Sequence, residues 1–284
     1  MVLAGVAFAL LNVVTQWLTM RLSVAPASVA FWQYAFAFLL ALPLLRKLGL
    51  GALRTSRPGY HFVRVALAAL GVQAWVAGLA HVPIWQAIAL VMTSPFFVIV
   101  GARLFLHEKV GAMRWLATSV GFAGVMIILR PWSDAFTAYS LLPIAAALLW
   151  GVASLMMKRL THQERPQTIT VWLLLLLMPL NGLLALGSGA GLGLPTGMAL
   201  ALLVAAGVLT AVGQHLLTLA YSVADAAYVQ PFDDLKLPLN VAAGWLFFGY
   251  APSGYLWLGA AMILSASLLM LTHELRQSRP PAKT

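Results

Sequence analysis

Apolar residues occur in long runs along most of this chain, and short polar or basic segments separate the runs. A helical run of about 20 apolar residues is long enough to cross a hydrocarbon core about 30 Å thick. Prolines and charges divide the chain into ten predicted spans, at 1–20, 27–45, 63–81, 83–106, 114–130, 138–158, 167–187, 198–221, 224–248 and 254–273. The pattern therefore predicts an all-α integral membrane protein with ten transmembrane helices.

The second half of the chain repeats the first at an offset of 138 to 142 residues. Three pairs of stretches match in order: "ALLNVVTQWLTMRL" with "ALLWGVASLMMKRL", "LAHVPIWQAIA" with "LAYSVADAAYV", and "LFLHEKVGAMRWL" with "LFFGYAPSGYLWL". Each copy contains five spans, and because five is odd, the copies cross the membrane in opposite directions. We expect one five-helix repeat at 1–137, an inverted second repeat at 138–273, and a tail at 274–284.

The distribution of charge predicts the orientation of the chain in the membrane. Only 8% of the residues are charged and 62% are hydrophobic, so the net charge of +10 forms no continuous surface for nucleic acid. Fourteen of the 17 basic residues fall in loops or termini on one side of the membrane. Arg21 and Arg130 lie at the opposite side, and Lys236 lies inside a span. The positive-inside rule then places both termini in the cytoplasm.

The sequence argues against several classes of function. The chain has no cysteine, no P-loop motif and no pair of histidines spaced for a metal on one helix face, so we expect no cofactor and no metal site. The glycine-rich stretch "GSGAGLGLPTG" lacks the dinucleotide-binding spacing and is interpreted as a flexible connector between spans 7 and 8. With no soluble domain to hydrolyse ATP, transport would depend on a gradient or on an accessory protein.

The end of span 4 and its counterpart in the second half resemble a known family. The stretch "LFLHEKVGAMRWLATSVGFAGVMIIL" contains His107 and Glu108, and the second copy has Tyr250 at the acidic position. With ten spans in two repeats, the chain resembles the EamA-type exporters of the drug/metabolite transporter superfamily, including the YddG-type aromatic amino acid exporters. The resemblance implies an inner-membrane exporter of small metabolites, most simply amino acids, with a cavity between its halves.

Charges and prolines interrupt the predicted span 9 in the stretch "YVQPFDDLKLPLN". A charge at the centre of a lipid-facing helix costs at least ~2.5–3.5 kcal/mol, so Asp233, Asp234 and Lys236 should face the protein interior or a cavity. Pro231 and Pro238 each remove a helical hydrogen bond and predict a broken helix. The charges either bind the two ends of a zwitterionic substrate or neutralise each other as a structural pair.

Other polar and aromatic residues complete the predicted cavity. Pro95 breaks span 4 at the position matching span 9, and we interpret Pro95, Pro231 and Pro238 as hinges. Asn12, Gln16 and Thr19 form a stripe on one face of span 1, which either lines the cavity or hydrogen bonds to other helices. The remaining candidates for substrate contact are Trp17, Trp75, His215 and Tyr228.

The sequence thus favours a secondary transporter that exports amino acids, aromatic or otherwise neutral, by alternating access across the inner membrane. Its expected partners are a small-molecule substrate and the bilayer, and the chain would act as a monomer or a homodimer. Two alternatives stay open: an exporter of drugs or organic cations, and an intramembrane lipid-modifying enzyme that uses Asp233 and Asp234. The enzyme is disfavoured because adjacent aspartates on a helix diverge and no third ligand accompanies them.

Overall fold

The computed structural model describes residues 2–48, 54–105, 111–130, 132, 137–161, 163–164, 166–223, 236–250 and 254–277. Within these ranges the regular secondary structure is helical, with a π-helical turn at Trp17–Arg21 and a 3-10 turn at Ala138–Ser140. The α-helices are α1 Val2–Gln16, α2 Pro26–Leu48, α3 Pro58–Leu79, α4 Ile84–Val91, α5 Ser94–Phe105, α6 Ala112–Leu129, α7 Leu141–Thr161, α8 Pro166–Gly187, α9 Met198–Val223, α10 Lys236–Phe248 and α11 Gly254–Gln277.

Within the described residues the ten predicted spans correspond to these helices, with α4 and α5 forming the two halves of span 4 and α10 lying in the second half of span 9. Four stretches within the described residues are, by length and composition alone, sufficient to cross a membrane: Val2–Arg21, Pro58–Leu79, Ala138–Met157 and Met198–Leu217. Between α4 and α5 the chain turns at Met92 and Thr93, and the Thr93 hydroxyl donates to Leu90 O over 2.7 Å. Pro95 is the second residue of α5, where its missing N–H is tolerated.

The helices pack with an approximate two-fold symmetry that pairs the two halves of the chain. Under this symmetry α1 corresponds to α7, α2 to α8, α3 to α9, α5 to α10, and α6 to α11, whereas the positions that match α4 by the repeat offset lie outside the described residues. The contact of α1 with α9 is matched by that of α7 with α3, and the contact of α2 with α9 by that of α8 with α3. Helices α2 and α8, and likewise α6 and α11, pack against their own counterparts. The inverted-repeat architecture expected from the sequence is confirmed.

Glycines allow close helix crossings in the described part of the bundle. A Cβ on Gly124 of α6 would lie 2.6 Å from the backbone oxygen of Gly259 in α11, and a Cβ on Gly259 would lie 2.5 Å from that of Gly124. Gly71 of α3 receives the indole of Trp150 from α7, whose Nε1 donates to Ala68 O over 3.2 Å. Small residues at helix crossings are typical of helix association in membranes, where tight packing replaces the hydrophobic effect.

Large apolar side chains also cover the outer surface of the bundle. Leu183, Trp245 and Leu246 are each about two-thirds exposed or more, at 65%, 64% and 73%. In water such a surface would drive aggregation, whereas in a bilayer these side chains contact lipid.

Candidate functional site

A cavity of about 530 Å³ lies between the two repeats, at the end of the bundle where α2 and α7 begin and where α3 and α8 end. We call this end the cavity end, and the other end, where α3 and α8 begin, the basic end. The first repeat contributes the start of α2 and the last turns of α3, and the second contributes Leu142 of α7 and the loop after α8. The cavity volume lies within the ~300–1,000 Å³ typical of small-molecule sites, and the cavity is wide open to the outside rather than enclosed.

The loop after α8 belongs to the glycine-rich connector, and hydrogen bonds hold it against α2. The Ser28 hydroxyl donates to Ala190 O over 3.3 Å and to Gly191 O over 3.0 Å, and Trp32 Nε1 donates to Gly193 O over 3.3 Å. The expectation of a merely flexible connector is therefore corrected, because part of this segment forms a wall of the cavity.

Gln73 is the polar side chain that α3 contributes to the lining. Its Nε2 donates to Oδ1 of the buried Asn181 on α8 over 2.9 Å, and Asn181 Nδ2 donates to Leu177 O over 2.8 Å. Ala74 and Ala77 follow on the same stretch of α3 and leave space beside the amide. The sequence analysis did not include Gln73 among the candidate substrate contacts. The sequence feature that could have indicated it is a lone glutamine in the middle of predicted span 3.

The polar stripe of α1 is bonded to other parts of the protein. Asn12 Nδ2 donates to Asn240 Oδ1 of α10 over 2.8 Å, and Asn240 Nδ2 in turn donates to Lys236 O over 2.7 Å. Gln16 is completely buried, and its Nε2 donates to Leu79 O over 3.0 Å and to Val82 O over 2.8 Å. Thr19 donates to carbonyls of its own helix. Of the two interpretations, the geometry favours interhelical hydrogen bonding for Asn12 and Gln16; a substrate contact stays a prediction.

The predicted aromatic residues occupy different environments. The indole of Trp75 packs against three separate clusters of buried side chains, and its centroid is 6.0 Å from that of Trp150. The Trp17 ring lies 5.8 Å from Phe248, and His215 is exposed on α9. These three residues do not line the cavity described above.

Most of the charged stretch of span 9 lies outside the described residues. This applies to the predicted residues Tyr228, Pro231, Asp233 and Asp234. Lys236 is half-buried at the start of the described part of α10, where its Nζ lies 5.8 Å from the centroid of the Phe8 ring. Pro238 is exposed on the same helix, and the hinge roles of the three prolines stay predictions.

A buried polar cluster joins the two repeats at the basic end, and sequence analysis did not propose it. His61 Nε2 of α3 donates to Oε2 of Glu164 over 2.7 Å, and the Thr55 hydroxyl donates to the other carboxylate oxygen. Arg64 donates to Ile169 O of α8 over 3.1 Å, and the His61 ring stacks on Trp172. The sequence feature that could have indicated this cluster is Glu164, a single acidic residue in the basic loop between predicted spans 6 and 7.

The electrostatics of this cluster favour the ionised carboxylate. Burial raises the pKa of Glu164, but hydrogen bonds from Thr55 and His61 and electrostatic attraction to His61 and Arg57 outweigh it and hold the pKa below its ordinary 4.5. Within the described part of the chain, no three residues of the types that bind metals come together.

Comparison with known proteins identifies the family. The chain matches the EamA-like transporter family over residues 1–130 and again over 137–272. A crystal structure that is 16% identical shares the fold, with a TM-score of 0.63 over 98% of this chain and 99% of that chain.

Among curated proteins, the chain is similar to riboflavin transporters of three bacteria. It is 69% identical to that of Rhizobium johnstonii over 99% of this chain and 93% of the relative. It is 51% identical to that of Brucella anthropi, over 98% of this chain and 99% of the relative, and 49% identical to that of Vibrio cholerae, over 98% and 94%. These names correct the expected similarity to YddG-type amino acid exporters. The chain belongs to the EamA-like transporter family of the drug/metabolite transporter superfamily, and it is a multi-pass membrane transporter, not an enzyme.

Proposed function

We propose that this chain carries riboflavin across the bacterial cytoplasmic membrane. The observation that carries the proposal is the agreement of three relatives from different genera, all named riboflavin transporters and 49%, 51% and 69% identical over nearly the whole chain. The proposal depends on this agreement in name and on the near-complete coverage, because a shared fold alone would not define the substrate.

The cavity supports an uncharged substrate. None of the described residues that line it is charged. A zwitterionic amino acid would need partners for both its charged ends, since burying an unpaired charge is very costly. Riboflavin is uncharged at neutral pH, combines a flat ring system with a polar edge, and has a hydroxylated chain that can stay near water. The earlier expectation of amino acid export is therefore replaced by riboflavin as the proposed substrate.

The inverted repeats support transport by alternating access. The cavity between the repeats lies at one end of the bundle, while the Glu164 cluster joins α3 to the loop before α8 at the other end. Rearrangement of the repeats, with bending at the α4–α5 break, would expose the site to the two sides in turn. We place both termini in the cytoplasm, and we infer that riboflavin moves down its own gradient in either direction.

Growth of a bacterial strain that cannot synthesise riboflavin, and has no riboflavin carrier of its own, tests this function. Expression of the chain should restore growth at low external riboflavin and allow uptake of labelled riboflavin. The Rhizobium johnstonii relative serves as the positive control and the empty vector as the negative control. Correctly inserted protein that restores neither growth nor uptake would refute the proposal.

A further inference from the structure

The hydrogen bonds around Gln73 determine which of its groups is available to a ligand. Asn181 is fully buried, and its Nδ2 is bonded to a carbonyl of its own helix, so its Oδ1 is the atom that faces Gln73. Gln73 must therefore direct its amide nitrogen toward Asn181. Among the described residues this is the one hydrogen bond that Gln73 makes, which leaves its Oε1 as an acceptor and the second Nε2 hydrogen as a donor.

A free acceptor beside a free donor on one planar amide matches a particular ligand chemistry. Side-chain amides bind bidentately to planar heterocycles that present a donor and an acceptor side by side, as Asn and Gln do with adenine. The pyrimidinedione edge of riboflavin presents the N3–H donor between two carbonyl oxygens. Gln73 Oε1 can accept the N3–H while Nε2 donates to a neighbouring ring carbonyl.

The position of Gln73 suits recognition inside the membrane. It lies six residues before the end of α3, which at 1.5 Å per residue places it about 9 Å below the cavity end of that helix. Ala74 and Ala77 line the cavity beside it with small side chains, and Leu142 of the second repeat contributes an apolar surface. A flat ring could therefore enter with its polar edge toward Gln73.

We propose that Gln73, oriented by Asn181, is the residue that recognises the imide edge of the flavin ring in this cavity. The inference rests on the proposed transport of riboflavin and adds the specificity-determining contact. It assigns the substrate class as neutral planar heterocycles with an imide N–H. A flavin whose N3 bears a methyl group has lost the donor and should fit poorly.

Competition for uptake by riboflavin and by 3-methylriboflavin tests the proposal in the full-length protein. In the unmodified chain the methylated flavin should compete about tenfold or more weakly, because one bidentate contact contributes roughly 1–3 kcal/mol. Gln73→Leu should weaken the binding of riboflavin itself by a similar factor, so that the two flavins compete equally well. Gln86→Leu is the matched control, since Gln86 bonds Ser140 outside the cavity lining and should retain full discrimination.

The possible failures are distinguishable. Absence of riboflavin uptake by the unmodified chain would overturn the proposed function together with this inference. If the unmodified chain transports riboflavin but 3-methylriboflavin competes equally well, only the role of Gln73 is overturned. This comparison uses the unmodified chain and so does not depend on whether a variant folds. Persistent discrimination in Gln73→Leu, or in the similarly sized Gln73→Met, would likewise exclude Gln73 as the recognising group.

Discussion

Replacing Gln16 by leucine tests whether the polar stripe of α1 is structural. Gln16 has no exposed surface, and its amide nitrogen donates to two backbone carbonyls at the end of α3 and just beyond it, Leu79 O and Val82 O. Leucine fills a similar volume but donates no hydrogen bond. Interhelical hydrogen bonds in membranes average ~0.6 kcal/mol and reach ~1.7, so losing two should cost roughly 1–3 kcal/mol. At about 2–4 °C per kcal/mol, the unfolding midpoint should fall by about 2–12 °C.

Thermal unfolding of the purified protein in detergent, followed by tryptophan fluorescence, measures this change. Thr19→Val is the matched control, because Thr19 lies on the same stripe but donates to carbonyls of its own helix, and its midpoint should change little. Unchanged stability of Gln16→Leu combined with loss of riboflavin transport would refute the structural interpretation and return Gln16 to the substrate site.

Three further predictions concern packing, charge and orientation. Gly124→Leu should separate α6 from α11 and lower the unfolding midpoint, whereas Gly111→Ala, where a Cβ meets no atom within 4 Å, should not; equal midpoints would contradict the close crossing. Because the pKa of Glu164 is lowered in the folded protein, its stabilising contribution should be present above pH 4.5 and be lost as the pH falls below it. Melting curves of Glu164→Gln should show a lower midpoint than the unmodified chain at neutral pH and a smaller decrease of that midpoint on acidification. Identical dependence of the midpoint on pH in the two proteins would exclude the pairing. A reporter active only in the cytoplasm should give signal when fused after Thr284, and a periplasmic signal would contradict the proposed orientation.

The architecture was predictable because the bilayer constrains sequence strongly. Every span must satisfy its backbone hydrogen bonds internally and be mostly apolar over about 20 residues, so apolar runs bounded by prolines and charges locate the helices. The repeat offset then gave the inverted symmetry, and Pro95 indicated the break between α4 and α5. These features depend on local composition, which a sequence displays directly.

The site was harder to predict because its contacts join distant parts of the chain. The hydrogen bond of Gln73 to Asn181 joins residues 108 positions apart, and that of His61 to Glu164 joins residues 103 apart. No local pattern indicates such pairs. The charged residues of span 9 were favoured as site residues because a charge is costly in lipid. A neutral side-chain amide, which suffices for an uncharged substrate, changes the hydropathy of a span very little and so gives a weak signal.

The substrate could not be derived from the family resemblance. Relatives of this chain at 27–28% identity are named S-adenosylmethionine uptake transporters and a pseudopaline exporter, so one fold carries chemically different molecules in different directions. The ten-span fold that these relatives share therefore does not define which molecule is carried.

Riboflavin counterflow in liposomes that contain only the purified chain tests the central claim most directly. Vesicles loaded with unlabelled riboflavin should accumulate labelled riboflavin transiently from outside, and excess external riboflavin, but not phenylalanine, should suppress the accumulation. Such exchange needs no energy source and no accessory protein. Absence of riboflavin exchange in vesicles that do exchange phenylalanine would contradict the account and restore the amino acid carrier expected from the sequence.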